Sequence, residues 1–221
     1  MGVLFVAGAG TDAGKTYVGA AVIRALRARG VAAEAFKPLV SGFDPDAPED
    51  SDPAVLLAAQ GIPWSAEALE RISPWRYRAP LAPCQAAARE GGRVDAEAVI
   101  GACRERAAAA EGLLLVESAG GIMSPLDERR TMLDLAEALG APVLLVTGSY
   151  LGAMSHTLTA AAVIADRGLP LAAVVVSETA AEPPLDETLA MLEGFLPGEA
   201  LFAVARGAPA PEALAERLAG L

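Results

Sequence analysis

The chain is poor in the residues that form disulfide frameworks, zinc sites and nucleic-acid surfaces. Its 221 residues include one histidine and two cysteines. Cys84 and Cys103 are too few for a disulfide framework or a zinc site, so we expect free thiols in a reducing cytoplasm. Lysine and arginine together number 17, against 28 aspartates and glutamates, which gives a net charge of −11. This balance argues against binding nucleic acid by charge, and any phosphate site must be a local basic island.

Long hydrophobic runs are also missing. The N-terminal apolar run is short and leads directly into a glycine-rich loop, so no signal peptide is expected. The longest uncharged stretch, 138–165, is interrupted by Pro142, Gly148 and Gly152. It predicts a strand, a turn and a helix rather than a membrane span. We therefore expect no membrane partner.

The apolar runs that are present alternate with helical patterns. The length and the 53% hydrophobic content favour one domain, residues 1–221, with one sizeable core. Strands are predicted at 3–7, 32–36, 113–117, 142–147, 171–177 and 200–205. Helices are predicted at 15–29, 95–110, 131–139, 152–167, 185–194 and 210–219. The pattern predicts an α/β fold with a mostly parallel sheet and helices on both faces, whereas 43–53 and 73–92 are predicted as loops, the former mobile.

A phosphate-binding loop follows the first strand. Residues 2–16 read GVLFVAGAGTDAGKT and end in Gly14-Lys15-Thr16. Backbone N–H groups of such a loop wrap a phosphate, the lysine adds charge, and the threonine hydroxyl reaches a magnesium ion. The usual spacing would place glycine at position 9, which is Ala9, but the glycine is Gly8. This G-x5-G-K-T spacing favours a subset of P-loop NTPase-like proteins.

Three further side chains occupy positions suited to phosphate chemistry. Lys37 directly follows one predicted strand and Glu117 ends another, and ligands of parallel sheets bind at that edge. Asp52 lies in the acidic segment 43–53, and magnesium prefers one or two carboxylates with phosphate oxygens and water. Position alone fits Lys37 equally well as an ordinary surface lysine, and it favours a solvated loop carboxylate for Asp52. For Glu117, the phosphate loop favours a second magnesium ligand over a plain strand-end charge. His156, near a helix start, is expected to be structural, whereas the N–H groups of that helix start form an anion site.

Together these segments resemble the dethiobiotin synthetase family. The matching segments are V-A-G-A-G-T-D-A-G-K-T (6–16), K-P-L-V-S-G (37–42), D-S-D (50–52), V-E-S-A-G-G (116–121), S-P-L (124–126) and L-G-A-M-S-H (151–156). They occur in the family's order, at close to its spacings, up to about residue 177. The longer phosphate loop is itself a family feature.

The resemblance implies closure of a cyclic urea with ATP and Mg²⁺. In this family, 7,8-diaminononanoate takes up CO2 (or bicarbonate) as a carbamate, ATP phosphorylates the carbamate, and the second amine expels phosphate to give dethiobiotin.

The resemblance also assigns roles to residues. The catalytic residues are Lys37, Lys15 and Thr11. The metal ligands are Thr16, Asp52 and Glu117. The ATP-binding set is Asp12, Ala13, Gly14, Lys15, Thr16, Tyr17, Asp52, Glu117, Ser118, Ala119, Gly120, Ser177, Glu178, Ala205, Arg206, Gly207 and Glu212. The substrate-binding set is Thr11, Lys37, Ser41, Tyr150, Leu151 and Gly152.

A homodimer is implied as well, with the substrate at the interface. In the family, the far carboxylate of the substrate is held at a helix N-terminus of the partner subunit. In this chain that helix N-terminus corresponds to Leu151 and Gly152, with Tyr150 and Ser155 close by. This chain departs from the family at Ser118, where the family has glycine, and at Ser155, where it has asparagine. It also departs at Ser177-Glu178, because the family has an asparagine-aspartate pair there that recognises adenine. The departure leaves the choice of nucleotide base open.

Other functions of the same fold remain alternatives. An amide ligase for corrinoid carboxylates usually carries a glutaminase domain with a nucleophilic cysteine, and neither cysteine here has that context. A partitioning ATPase has an extra lysine early in the loop, which Gly8–Gly14 lacks. A nucleotide-binding regulator without chemistry is opposed by Lys15, Lys37, Asp52 and Glu117.

Overall fold

The computed structural model describes residues 2–180 and 182–221, and its centre is a parallel six-stranded sheet. The strands of this sheet, in chain order, are β1 (Gly2–Gly8), β2 (Ala33–Phe36), β5 (Leu113–Gly121), β6 (Val143–Gly148), β7 (Leu171–Ser177) and β8 (Leu201–Val204). Their spatial order is β2-β5-β1-β6-β7-β8, and each neighbouring pair is parallel. A small second sheet pairs β3 (Leu39–Ser41) with β4 (Trp75–Tyr77), also in parallel.

Helices connect the strands. They are α1 (Lys15–Ala28), α2 (Asp52–Ala59), α3 (Ala66–Ile72), α4 (Pro83–Arg89), α5 (Ala96–Ala109), α6 (Met132–Leu139), α7 (Ala153–Asp166), α8 (Leu185–Phe195) and α9 (Glu212–Ala219). A short 3-10 helix, Pro48–Asp50, precedes α2. In the residues that the structure describes, no helix combines the length and the apolar character needed to cross a bilayer.

Two hydrophobic clusters cover the two faces of the large sheet. Successive side chains of a strand point to opposite faces, so Leu4 and Val6 pack with α1, whereas Phe5 and Ala7 pack with the opposite cluster. Burial on both faces explains why the strands read as almost continuous apolar runs. The prediction of an α/β fold with helices on both sides of a parallel sheet is confirmed.

Local capping signals explain where the predicted helices begin. The carboxylate of Asp95 accepts the backbone N–H of Ala98 at 3.1 Å and starts α5. Asp134 accepts the backbone N–H of Thr131 at 2.6 Å and starts α6. Such caps satisfy N–H groups that lack an intrahelical partner. The six predicted strands all lie in the large sheet, and the six predicted helices are present with ends shifted by one to two residues.

Two segments predicted as loops are partly regular, so those predictions were wrong. Segment 43–53 contains the 3-10 helix and the start of α2, and segment 73–92 contains β4 and α4. Pro53 and Pro83 lie in the first turns of α2 and α4, where proline fits because no hydrogen bond is required of its nitrogen. Strand β5 also continues four residues beyond Glu117 to Gly121, so Glu117 lies inside a strand rather than at its end.

Candidate active site

A cavity of about 530 Å³ opens at the carboxyl edge of the large sheet, and it joins residues distant in sequence. Eight residues predicted for the site line it: Thr11, Asp12, Lys15, Lys37, Ser41, Asp52, Ala119 and Gly120. They come from the phosphate loop, the end of β2, strand β3, the start of α2 and the end of β5. Parallel strands place their carboxyl ends at one edge, which explains why these loops converge.

Gly8 and Gly14 shape the phosphate loop. A Cβ on Gly8 would lie 2.5 Å from the carbonyl oxygen of Gly10 and 3.1 Å from Nζ of Lys15. Gly14 has φ +86° and precedes α1, which begins at Lys15. The loop therefore needs a residue without a side chain at position 8 to fold back under the Lys15 amine. This close approach gives a physical reason for the shifted glycine in the motif.

The Lys37 ammonium donates hydrogen bonds to all three predicted metal ligands. Its Nζ lies 2.5 Å from Asp52 Oδ2, 2.6 Å from Glu117 Oε1 and 3.5 Å from Thr16 Oγ1. Thr16 Oγ1 also donates to Glu117 Oε1 at 2.7 Å. Lys37 and Glu117 are only 4% and 2% exposed, so water screens this pair weakly. Lys15 and Lys37, the two lysines of the sequence, thus meet in one cavity.

The charges in the cavity shift the pKa values of both lysines and of Asp52. Burial lowers the pKa of Lys15, and the carboxylates nearby do not offset it. Burial also acts to lower the pKa of Lys37, but the carboxylates of Glu117 and Asp52 outweigh it and raise that pKa. For Asp52, burial is outweighed by the Lys37 ammonium, and its pKa is lowered. Since Lys37 is already paired, the expected basic island consists mainly of Lys15.

The residues around Lys37 fit a magnesium ion that also binds nucleotide. Within residues 2–180 and 182–221, no cluster of three or more His, Cys, Asp or Glu side chains could hold a metal ion. The group here has two carboxylates and one hydroxyl, which matches a cation completed by phosphate oxygens and water. The Lys37 ammonium marks a position where these oxygens already surround one positive charge. The second oxygen of Glu117, Oε2, is buried without a hydrogen-bond partner.

A second cavity of about 220 Å³ lies on the other side of the phosphate loop. It is lined by Asp12, Ala13, Gly14, Tyr17, Ser177, Glu178, Thr179 and Arg206. The hydroxyl of Tyr17 lies 3.0 Å from the carbonyl oxygen of Ala205 and 2.9 Å from that of Ala208. Glu178 Oε2 accepts the backbone N–H of Arg206 at 2.8 Å. Seven of the eight lining residues, all but Thr179, therefore belong to the predicted ATP-binding set, and they lie together beside the phosphate loop.

The turn predicted to bind the substrate carboxylate does not line the 530 Å³ cavity. Leu151 is 91% exposed, and Gly152 precedes α7 with φ +98°. The Tyr150 hydroxyl lies 2.9 Å from Nδ1 of His156. His156 therefore contacts the turn, and it also lines a third cavity of about 380 Å³ beside Thr11 and Ser124.

The structure places Glu212 away from both cavities, and it adds residues to the cavity lining that the sequence did not assign. Glu212 begins α9 and pairs with Arg29 at 2.9 Å on the surface, outside the lining of both cavities. Conversely, the sequence reasoning did not assign the cavity wall formed by Val40, Pro80, Leu81, Ala82, Pro83 and Ser124. Proline at the start of α4 was the available signal, because it favours a helix beginning there.

Fold and site together define a nucleotide-binding α/β protein of the P-loop class. A family model described as an AAA domain matches residues 3–206. Chloroplast FtsY from Physcomitrella patens is a distant structural match, with a TM-score of 0.47 and 16% identity over 98% of this chain and 64% of that one.

Closer relatives specify the family. The ATP-dependent dethiobiotin synthetase of Caulobacter vibrioides strain NA1000 / CB15N is 56% identical over 87% of each chain. The synthetase of Caulobacter sp. strain K31 is 53% identical over 94% of this chain and 89% of that one. That of Phenylobacterium zucineum is 48% identical over 97% and 94%. The chain belongs to the dethiobiotin synthetase family, which confirms the resemblance seen in its motifs.

Proposed function

We infer that this protein is an ATP-dependent ligase that closes the ureido ring of dethiobiotin in biotin biosynthesis. The observation that carries the inference is the meeting of Lys15, Lys37, Thr11 and Ser41 around one cavity of about 530 Å³, in a chain of this family. The relatives favour neither the corrinoid-carboxylate amide ligase nor the partitioning ATPase as an alternative. One ligase domain, residues 1–221, is part of the proposal, because the two cavities draw on residues from Thr11 to Arg206.

The proposed reaction has three steps. One amine of 7,8-diaminononanoate attacks CO2, forms a C–N bond and loses a proton, which leaves a carbamate. A carbamate oxygen attacks the γ-phosphorus of ATP, and the bond to the bridging oxygen breaks to release ADP. The second amine attacks the carbonyl carbon of the mixed anhydride, loses a proton and expels phosphate as the ring closes.

Both reacting groups of the phosphorylation step are anions, so the residues must hold them together. We assign Lys15 to the β- and γ-phosphates and Lys37 to the carbamate and γ-phosphate. Thr11 and Ser41, in the same cavity, would bond the carbamate or diamine. Positive groups aimed at the transferred phosphoryl stabilise its developing charge without further reorganisation. Holding the carbamate against the γ-phosphate makes the step intramolecular in effect.

Magnesium is part of the proposal because of the oxygens around Lys37. Thr16, Asp52 and Glu117 would hold it, and their oxygens already contact one ammonium group. Bound there, Mg²⁺ supplies charge that neutralises the phosphate oxygens. The nucleoside would occupy the 220 Å³ cavity between Tyr17, Ser177, Glu178 and Arg206.

We also propose a cytoplasmic homodimer in which the partner's turn Tyr150–Gly152 binds the far carboxylate of the substrate. The 91% exposure of Leu151 and the position of this turn at the N-terminus of α7 support the proposal. Free N–H groups at a helix start favour an anion. Leu151→Asp should weaken the dimer in sedimentation and raise the KM for the diamine, with Val55→Asp as the control. A wild-type monomer at assay concentration would contradict the shared site.

The decisive assay measures phosphate release with ATP, CTP, GTP and UTP, with and without the diamine and bicarbonate. Release that depends on the diamine, together with dethiobiotin seen by mass spectrometry, is the expected result. Lys37→Met should lower kcat by about 100-fold or more, since one lost charge-stabilising donor typically costs that much. Arg29→Met, which removes a surface charge, is the control and should keep full activity. Nucleotide binding without diamine-dependent phosphate release would refute the proposed function.

A further inference from the structure

The Lys37 ammonium is hydrogen-bonded to the residues assigned to the metal and not to residues assigned to the substrate. An ammonium group has three N–H donors, and in this structure Lys37 has three oxygen partners, on Asp52, Glu117 and Thr16. A lysine bonded in this way has no donor left for a carbamate or a γ-phosphate. The side chain must therefore change partners before it can take the catalytic role assigned to it.

The Lys37 ammonium and a magnesium ion would compete for the same two carboxylates. Magnesium binds oxygen at about 2.0–2.1 Å. Lys37 Nζ lies 2.5 Å from Asp52 Oδ2 and 2.6 Å from Glu117 Oε1, so it occupies the space between the two carboxylates assigned to the ion. Two cations held by the same carboxylates would repel each other strongly in a site that water screens weakly. Binding of the metal therefore disfavours the position that the Lys37 ammonium occupies here.

The same cavity offers the released ammonium new partners. Ser41 Oγ is a buried atom without a hydrogen-bond partner, and Ser41 and Thr11 line the cavity beside Lys37. Lysine carries its charge on a flexible four-carbon stem, so rotation of the side chain can move the ammonium without moving the backbone. Movement from Glu117 towards Ser41 or Thr11 would thus bring the charge to residues assigned to the carbamate.

We propose that Lys37 is an internal competitor of the divalent cation and selects the metal–nucleotide complex over the free metal. A free metal ion would have to displace the ammonium with only three protein ligands to bind it, namely two carboxylates and one hydroxyl. A metal bound to nucleotide brings phosphate oxygens as further ligands, and the phosphates attract the displaced ammonium. Entry of the metal with nucleotide then directs Lys37 towards substrate. The assignment rests on the proposed function for the identity of the site.

Binding of Mn²⁺ in the absence of nucleotide tests the competition directly. Free Mn²⁺ is measured by its EPR signal during titration of the wild type, Lys37→Met and Lys15→Met. Lys15→Met is the matched control, because it removes the same charge from the same cavity without a bond to the metal ligands. Lys37→Met should bind Mn²⁺ at least tenfold more tightly than the wild type, and Lys15→Met less than threefold more tightly. An equal increase in Mn²⁺ affinity in both variants, or no increase in Lys37→Met, would overturn the proposal.

A second measurement uses the wild type alone and does not depend on the folding of any variant. Labelling with [13Cε]lysine gives NMR signals from Lys15 and Lys37 only, because the sequence has no other lysine. The Lys37 signal should shift when Mg²⁺ is added to the protein already saturated with a non-hydrolysable ATP analogue in EDTA. An unchanged Lys37 signal would contradict displacement. Neither experiment contains the diamine, so loss of ligase activity and failure of the competition model are separate outcomes.

Discussion

Gly14 packs directly against Ser177, and a Cβ on Gly14 would lie 2.5 Å from the Oγ of Ser177 and 2.9 Å from its Cβ. The phosphate loop after β1 therefore touches the end of β7, two strands away in the sheet. This contact brings the cavity assigned to the nucleoside next to the cavity assigned to the phosphates.

Gly14→Ala should destabilise the protein more than Gly30→Ala. Both glycines have positive φ, +86° and +76°, so each alanine carries about 1–2 kcal/mol of backbone strain. Gly30 has no atom within 4 Å of the added Cβ, whereas Gly14 also meets Ser177. Urea unfolding of the nucleotide-free protein measures the difference. Adding Ser177→Gly to Gly14→Ala should recover part of the loss, and strictly additive effects would count against the contact.

Lys15→Met should raise the melting temperature of the nucleotide-free protein and abolish its stabilisation by nucleotide. Burial lowers the pKa of Lys15 from 10.5, so folding disfavours the charged form. The penalty is fully present at neutral pH and disappears as pH rises towards the unfolded value. The increase in melting temperature, roughly 2–4 °C for each kcal/mol of unfolding free energy recovered, should therefore become smaller between neutral pH and pH 10.5. A lower melting temperature for the variant at pH 7 would contradict this account.

Tyr17→Phe should raise the KM for ATP several-fold while kcat stays close to that of the wild type. The lost hydroxyl contacts the carbonyl oxygens of Ala205 and Ala208, which hold the turn beside the phosphate loop. A net hydrogen bond is worth about 0.5–1.5 kcal/mol, which corresponds to a change of a few fold. Tyr77→Phe, in the small sheet, is the control. A fall in kcat with unchanged KM would assign Tyr17 to the chemistry instead.

Thiol titration should find one reactive cysteine in the native protein and two after denaturation. Cys103 is fully buried, and burial raises the pKa of its thiol to about 12, so it stays protonated and protected. Cys84 is partly exposed at the start of α4. Cys84→Ser should therefore remove the native signal in an Ellman assay. A rapidly reacting thiol that remains in this variant would show that Cys103 is accessible.

The sequence predicted the large sheet but not the small one. Most strands in the large sheet are almost continuous apolar runs, because the central strands are buried on both faces. Strands β3 and β4 have three residues each and exist through pairing with each other across Leu39↔Trp75, Val40↔Arg76 and Ser41↔Tyr77. Such short strands have no periodicity of their own, and their pairing depends on contacts distant in sequence.

By itself, the sequence determined the class of fold, and it predicted the residues to which we assign the chemistry. Gly8, Gly14, Lys15 and Thr16 specify the phosphate loop locally, since their spacing sets the turn and the helix start. Only the tertiary structure decided which of the predicted site residues contact one another. It placed Lys37 between Glu117 and Asp52, 80 and 15 residues away along the chain. Contacts over such distances follow from the order of strands in the sheet, because three-dimensional packing sets which loops meet at its carboxyl edge.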